Sequence, residues 1–106
     1  MFIFNNLNNS TIDKISGNFT NNYVKGTTKA QGGAIFNKST IKAITANFTD
    51  NYAERTGGGD AYGGAIYNTG TITTLSGNFE NNYVKSTGTT QGGAIFTRDG
   101  NIGNIV

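Results

Sequence analysis

Apolar residues recur along this chain in short runs that are separated by polar residues. One kind of run has the form Ile-x-x-Ile or Ile-x-x-Leu and begins at Ile12, Ile41, Ile72 and Ile102. The runs are too short and too irregular for a stable helix, whereas Ile, Thr, Phe and Tyr are favoured in strands. Clusters of Asn and Gly between the runs indicate turns. The pattern therefore predicts an all-β chain built from short strands.

Two four-residue motifs repeat in a constant order between these runs. Phe-x-x-Asn occupies residues 19–22, 48–51 and 79–82, and Gly-Gly-Ala-Ile occupies residues 32–35, 63–66 and 92–95. Equivalent residues of successive repeats are 29 to 31 residues apart. A period in this range is typical of a stacked solenoid, in which each repeat forms one structural unit.

Three short strand-forming segments within about 30 residues describe one coil of a parallel β-helix. Coils would stack at the inter-strand spacing of about 4.8 Å. We expect one domain of about three to four coils, each with three short strands. Its parts would be a partial coil over residues 1–11, repeats over about 12–40, 41–71 and 72–101, and the start of a further coil over 102–106.

Stacking of coils places equivalent side chains above one another, in columns along the solenoid. The columns that we expect to hold the scaffold together are Phe19, Phe48 and Phe79; Asn22, Asn51 and Asn82; Ile35, Ile66 and Ile95; and Gly33, Gly64 and Gly93. Further columns are expected for Tyr23, Tyr52 and Tyr83 and for Asn18, Asn47 and Asn78. The double glycines would mark a corner that needs a positive φ or a close approach of the backbone.

The direction of some side chains conflicts with a regular strand. Ile12 and Ile15 have opposite parity, so a regular strand cannot turn both of them inward. The same conflict affects Ile35 and Phe36. We therefore expect either a bend within the first segment or one Ile that faces outward.

Changes in repeat length locate a surface loop. The distances from Ile to Phe and from Phe to Tyr are constant, but the second repeat has two extra residues, which fall within residues 53–62. A segment that absorbs insertions is typically a loop. Glu54, Arg55 and Asp60 are the local concentration of charge in this segment, so they are the candidate binding residues.

Composition narrows the possible chemistry. The chain has no Cys and no His, so disulfides, thiol nucleophiles, the common zinc sites and a His general base are excluded. The net charge of +2 arises from 8 basic and 6 acidic residues without a basic run, which argues against nucleic-acid binding. We expect no catalytic residues, no cofactor, no metal site and no insertion into a membrane.

The alternation of Gly-Gly-Ala-Ile with Phe-x-x-Asn resembles the repeat of polymorphic outer membrane proteins. The resemblance extends over residues 12–105. It implies a right-handed parallel β-helix, of the kind found in autotransporter passenger domains, with a role in adhesion. It also implies a cell-surface, outer-membrane or secreted location. No segment of this chain reads as a signal peptide, so we expect export only as part of a longer chain.

The main interpretation is therefore a structural and binding module that would contact a host surface protein or a glycan. One alternative is a self-stacking solenoid that forms filaments or oligomers, because residues 1–9 and 100–106 do not resemble charged caps. Less favoured alternatives are ice binding through Thr11, Thr40 and Thr71, and a carbohydrate-active β-helix that uses Asp50 and Glu80.

Overall fold

The computed structural model describes residues 3–5 and 9–106, and within them the chain is built from strands without any helix. The predicted partial coil over residues 1–11 falls partly outside the described residues. The strands are β1 (Ile3–Asn5), β2 (Thr11–Thr20), β3 (Tyr23–Gly26), β4 (Ile35–Asn37), β5 (Thr40–Thr49), β6 (Tyr52–Arg55), β7 (Ala61–Tyr62), β8 (Ile66–Asn68), β9 (Thr71–Ser76), β10 (Phe79–Glu80), β11 (Tyr83–Lys85), β12 (Thr90–Gln91), β13 (Ile95–Thr97) and β14 (Asn101–Ile105). The all-β prediction is confirmed.

Strands from successive coils pair in parallel and form four sheets that run along the molecule. Sheet A has the order β1-β4-β8-β13, and sheet B is built on β5, which pairs with β2 on one side and with β9 and β10 on the other, followed by β14. Sheet C contains β3, β6 and β11, and sheet D contains β7 and β12. This arrangement is a parallel β-solenoid of about three turns, as the repeat period predicted.

The register places equivalent residues of the repeats directly beside one another. Phe48 pairs with Phe19 on one side and Phe79 on the other, and their rings stack with centroids 4.9 Å and 4.6 Å apart. Ile66 pairs in the same way with Ile35 and Ile95. The main core lies between sheets A and B and is formed by such columns of Phe, Ile, Leu and Ala.

A bend in the long strand of sheet B allows both Ile residues of the Ile-x-x-Ile run to face the core. Ile41 and Ile44 are both fully buried, although they have opposite parity. The register passes from the pair of Ile12 with Ile41 directly to the pair of Lys14 with Ala43, and it omits Lys42. Two consecutive residues therefore face away from the core at this point, after which regular alternation resumes.

The conflict between Ile35 and Phe36 is resolved in a different way. Ile35 belongs to the main core, whereas Phe36 lies outside that cluster and stacks on Phe4 and Tyr67 with centroids 4.8 Å and 5.1 Å apart. The ammonium group of Lys38 lies 5.4 Å from the centroid of the Phe36 ring. Sheet A is therefore lined by apolar columns on both faces, so its strands lack a polar face.

The two glycines of each Gly-Gly-Ala-Ile motif have different roles. The first glycine has a positive φ, with values of 71° at Gly32 and 66° at both Gly63 and Gly92. Glycine adopts this conformation at little cost, because it has no Cβ. The second glycine is required by space, because a methyl group on Gly33 would overlap the carbonyl oxygens of Gly64 and Tyr52.

Gly64 and Gly93 provide a matched test of this spatial requirement. A methyl group on Gly64 would overlap the carbonyl oxygens of Gly93 and Tyr83, whereas one on Gly93 would have the Asn82 carbonyl oxygen as its neighbour, at 3.9 Å. We expect Gly64→Ala to lower the free energy of unfolding by about 2–3 kcal/mol, the usual cost of overpacking. Gly93→Ala should change it by less than about 0.5 kcal/mol. Urea denaturation measures both, and equal losses would contradict this account.

The segment predicted as a loop over residues 53–62 is shorter in the structure. Strand β6 continues to Arg55 and β7 begins at Ala61, so the loop spans residues 56–60. Both extra residues of the second repeat fall in this loop, because the strands on either side keep their register with the neighbouring coils. Ala53 and Ala61, on either side of the loop, form a second small core with Ala30 of the neighbouring coil. Alanines gave no strand signal, and for this reason β7 and sheet D were missed.

Candidate functional site

The third residue of each Phe-x-x-Asn motif forms the corner between sheets B and C. Asn21, Asp50 and Asn81 have φ values of 57°, 58° and 55°. Asn and Asp tolerate this left-handed conformation better than other side chains. The side chains at this corner are exposed, so the motif turns the chain while the preceding Phe and the following Asn face inward.

The fourth residue of the motif forms a hydrogen-bonded amide column inside this corner. Asn51 is fully buried, and its Nδ2 donates to the carbonyl oxygen of Phe19 at 2.8 Å and to Oδ1 of Asn82 at 2.9 Å. Its Oδ1 accepts from the backbone N–H and from Nδ2 of Asn22 at 2.9 Å and 3.0 Å. The amide group of Asn51 is thus satisfied, and the column links neighbouring coils.

A second buried amide column was missed by the sequence analysis. Asn5, Asn37 and Asn68 end the first three strands of sheet A, each after an Ile and an aromatic residue, and their side chains are hydrogen-bonded in series at 2.8 Å. Asn37 also binds the backbone of Ser39, since its Nδ2 donates to the Ser39 carbonyl oxygen and its Oδ1 accepts from the Ser39 N–H. The recurrence of Asn two positions after Ile35 and Ile66 was the available signal. This column is structural, since Asn37 and Asn68 are fully buried.

The exposed aromatic side chains of sheet C form a continuous strip, which we call the tyrosine column and define as Tyr23, Tyr52 and Tyr83. Its rings stack with centroids 5.0 Å and 4.9 Å apart and an angle of 7° between neighbouring planes. Tyr23 is 58% exposed and Tyr83 is 45% exposed, in contrast to Phe19 and Phe48, which are fully buried. Desolvation raises the pKa of Tyr52, and repulsion from Tyr83, Tyr23 and Glu54 adds to the rise.

Next to the tyrosine column lies a charged column, defined as Lys25, Glu54 and Lys85. The register of sheet C pairs Glu54 with Lys25 on one side and with Lys85 on the other. Both columns are on the outer face, because Val24, Ala53 and Val84, which alternate with them, contact the second core. Among residues 3–5 and 9–106, the ion pair that is found connects Lys42 and Asp13. The residues of the charged column therefore do not form ion pairs with one another.

The three residues predicted as a binding loop are divided between a strand and the loop. Glu54 and Arg55 lie in β6, and Asp60 is the one that lies in the loop. Nε of Arg55 donates to the carbonyl oxygen of Thr27 at 3.2 Å. The Asp60 carboxylate accepts from the backbone N–H of Thr89 at 2.9 Å. Arg55 and Asp60 thus connect loops of adjacent coils, and Glu54 faces solvent with the charged column.

The hydrogen bonds of Asp60 predict a specific dependence of stability on pH. The bond from the Thr89 N–H, followed by that from the Tyr62 hydroxyl, lowers the pKa of the Asp60 carboxyl below its ordinary value of 3.8. A lowered pKa in the folded state stabilises the fold above the unfolded-state pKa, and this contribution is lost as pH falls through the folded-state pKa.

We therefore expect Asp60→Asn to be less stable than the wild type near pH 7, with the difference shrinking at about pH 3 and below. Urea midpoints of both proteins across this range measure the effect. The other carboxyl groups are common to both proteins, so their titration cancels in the difference. A difference that is independent of pH would contradict the role assigned to the Asp60 carboxylate.

The residues considered for ice binding and for carbohydrate chemistry lie outside the tyrosine column and the charged column. Thr40 pairs with Thr11 and Thr71 in sheet B, two positions before the ion pair between Lys42 and Asp13, which joins Nζ to Oδ1 at 3.4 Å. Asp50 lies at the corner, and Glu80 follows Phe79 in β10.

In the part of the chain that is described, acidic side chains do not gather in groups of three that would hold a metal ion. Nor does any helix long and apolar enough to cross a membrane occur there.

Comparison with known proteins agrees with the repeat motifs. Residues 73–98 match the family model of the Chlamydia polymorphic membrane protein (Chlamydia_PMP) repeat. The matched segment contains the third Phe-x-x-Asn and the third Gly-Gly-Ala-Ile, so the resemblance to this repeat is confirmed there. No curated protein and no solved structure matches the chain. The repeat implies a surface-exposed passenger segment of the autotransporter type.

Proposed function

We propose that this chain is a displayed segment of a passenger-type β-solenoid that supports adhesion and performs no catalysis. Its location would be the cell surface or outer membrane, or the medium after secretion. The match of residues 73–98 to a passenger repeat supports the display role. The columns in the core support a rigid scaffold, because ring stacking and hydrogen bonds between side-chain amides fix each coil to its neighbours.

The observation that carries the adhesive role is the exposure of the tyrosine column. Most large apolar side chains among the described residues lie in the core, but Tyr23 and Tyr83, which begin the two outer strands of sheet C, are about half exposed. Tyrosine is enriched at protein interfaces, where its ring provides contact area and its hydroxyl group provides a hydrogen bond. The strip would contact a protein or a glycan on a host cell.

Adhesion can be measured with beads that carry the purified chain and are washed over cultured cells under flow. A variant with serine at all three positions of the tyrosine column should retain less than about half of the bound beads, since an interface depends on a few aromatic anchors. The variant must keep the β-sheet circular dichroism spectrum of the wild type.

The matched control replaces the exposed Asn column on sheet B, formed by Asn18, Asn47 and Asn78, with serine. These side chains are also exposed and also align in a column, with Nδ2 of Asn47 donating to Oδ1 of Asn18 at 3.1 Å. The control beads should adhere like the wild type. Wild-type beads that do not adhere more than uncoated beads would refute the adhesive role.

A second candidate function is self-association of coils from separate chains. In the third coil Phe79 and Ile95 are half-buried, whereas Phe48 and Ile66 of the second coil are fully buried. The outer edges of β13 and β14 also lack a paired strand among the described residues. A second copy of the chain could continue the sheets at this end. Sedimentation velocity over a concentration series tests the candidate, and a monomer at every concentration would eliminate it.

A further inference from the structure

The charged column has a sign pattern that is specific enough to select a ligand. Along the solenoid axis it reads positive at Lys25, negative at Glu54 and positive at Lys85. Adjacent coils are about 4.8 Å apart, so the two lysines lie about 10 Å apart with the carboxylate halfway between them. A ligand that follows the column must therefore offer anionic groups with this long period and a hydrogen-bond donor at the midpoint.

Most anionic polymers do not meet this requirement. An extended peptide places side chains on one face about 6.7 Å or about 13 Å apart, and neither distance matches the separation of the lysines. Nucleic acids carry a phosphate about every 3.4 Å of helix axis in each strand, so a phosphate would also face Glu54. An extended polysaccharide differs, because one sugar has nearly the length of one coil spacing. If every second sugar is acidic, its carboxylates recur at twice that spacing.

We propose that the outer face of sheet C binds an acidic polysaccharide that has one carboxylate per disaccharide and lies along the solenoid axis. This inference rests on the proposed adhesive function and names its ligand class. Lys25 and Lys85 each bind the carboxylate of an acidic sugar. Glu54 accepts a hydrogen bond from a hydroxyl or amide N–H of the neutral sugar between them.

The tyrosine column supplies the second contact line for this ligand. It lies two residues before the charged column along each strand, which is about 6.7 Å away. Neighbouring rings cover both faces of Tyr52 and one face each of Tyr23 and Tyr83, so a ligand that follows the column meets mainly ring edges and hydroxyl groups. The edges of Tyr23, Tyr52 and Tyr83 would pack against the C–H groups of successive sugars, and each hydroxyl group would bind a sugar hydroxyl.

The test compares two oligosaccharides of equal length by isothermal titration calorimetry. Oligosaccharides of hyaluronan carry a carboxylate on every second sugar, and those of polygalacturonate carry one on every sugar. We expect hyaluronan to bind at least about threefold more tightly, because the additional carboxylate of polygalacturonate faces Glu54. Glu54→Gln should remove this preference by tightening polygalacturonate binding, whereas a surface that attracts anions by positive charge alone would bind polygalacturonate more tightly before the substitution, because that polymer carries more carboxylates.

The contribution of the lysines is tested separately. Lys25→Gln should weaken hyaluronan binding by about fivefold, the most that a single exposed ion pair usually contributes. Lys14→Gln removes the same charge from the exposed face of sheet B and should leave the affinity unchanged. An equal loss in both variants would overturn the assignment, since it would indicate attraction by net charge alone.

Other outcomes separate this inference from the proposed function. Tighter binding of polygalacturonate, or of a poly-glutamate peptide, by the wild type would refute the ligand class. If hyaluronan does not bind but coated beads still adhere to cells, the inference fails and adhesion remains. If the beads also fail to adhere, the proposed function fails as well.

Discussion

Replacing Phe48 with alanine should lower the free energy of unfolding by about 3–5 kcal/mol, the usual cost of truncating a buried aromatic residue. Its ring is fully buried and stacks on both Phe19 and Phe79. The cavity would be difficult to close, because parallel pairing of the strands on either side fixes the spacing of the coils. Urea denaturation followed by circular dichroism measures the loss.

Tyr52→Ala is the matched control for this prediction. Tyr52 occupies the same coil and stacks on two aromatic rings with nearly the same geometry, but the ring lies on the outer face of sheet C. We expect a loss of about 1 kcal/mol, which is the contribution of ring stacking without much burial. A loss as large as that of Phe48→Ala would show that stacking rather than burial stabilises the solenoid.

The fold could be predicted from the sequence because the repeat period determines which residues are neighbours. In stacked coils, residues at equivalent positions of the repeat become neighbours and form a column, as the pairs of Phe19 with Phe48 and of Ile35 with Ile66 illustrate. Side-chain direction could not be deduced in the same way. The bend beside Lys42 depends on how the long strand of sheet B follows the core, and short-range parity does not contain that information.

The boundaries of the binding segment were less predictable, for a physical reason. A change in repeat length shows only that an insertion lies somewhere between two recognisable repeat positions, here Tyr52 and Gly64. It does not show whether strands occur within that interval. Ala53 and Ala61 have weak strand propensity, yet both are fully buried and belong to the second small core. Glu54 and Arg55 were therefore predicted in a loop although they lie in a strand.

The charged column shows what the register adds to the sequence. Lys25, Glu54 and Lys85 are about 30 residues apart in the chain, and as isolated residues they indicate no ligand. Pairing in sheet C places them in one line with alternating sign. The long period of like charges, which selects among anionic polymers, is a property of this line and not of any one residue.

Replacing Asn51 with alanine should lower the free energy of unfolding strongly, because it removes the central hydrogen bonds of the buried amide column. The substitution removes a donor to the carbonyl oxygen of Phe19 and an acceptor for two N–H groups of Asn22, in a place where the lost Asn51 side chain is fully buried. Each buried group that loses its partner costs about 1–3 kcal/mol. We expect the free energy of unfolding to fall by about 3 kcal/mol or more, as measured by urea denaturation.

Two further variants separate the hydrogen bonds of Asn51 from its volume and from amide stacking in general. Asn51→Leu fills the space but makes no hydrogen bond, so a loss similar to that of Asn51→Ala would assign the effect to the unpaired polar groups. Asn47→Ala removes an amide of the same coil whose column is exposed, where water replaces the lost partners, and it should cost less than about 1 kcal/mol. If Asn51→Leu were as stable as the wild type, the buried amide column would be a consequence of the stacking and not a cause of it.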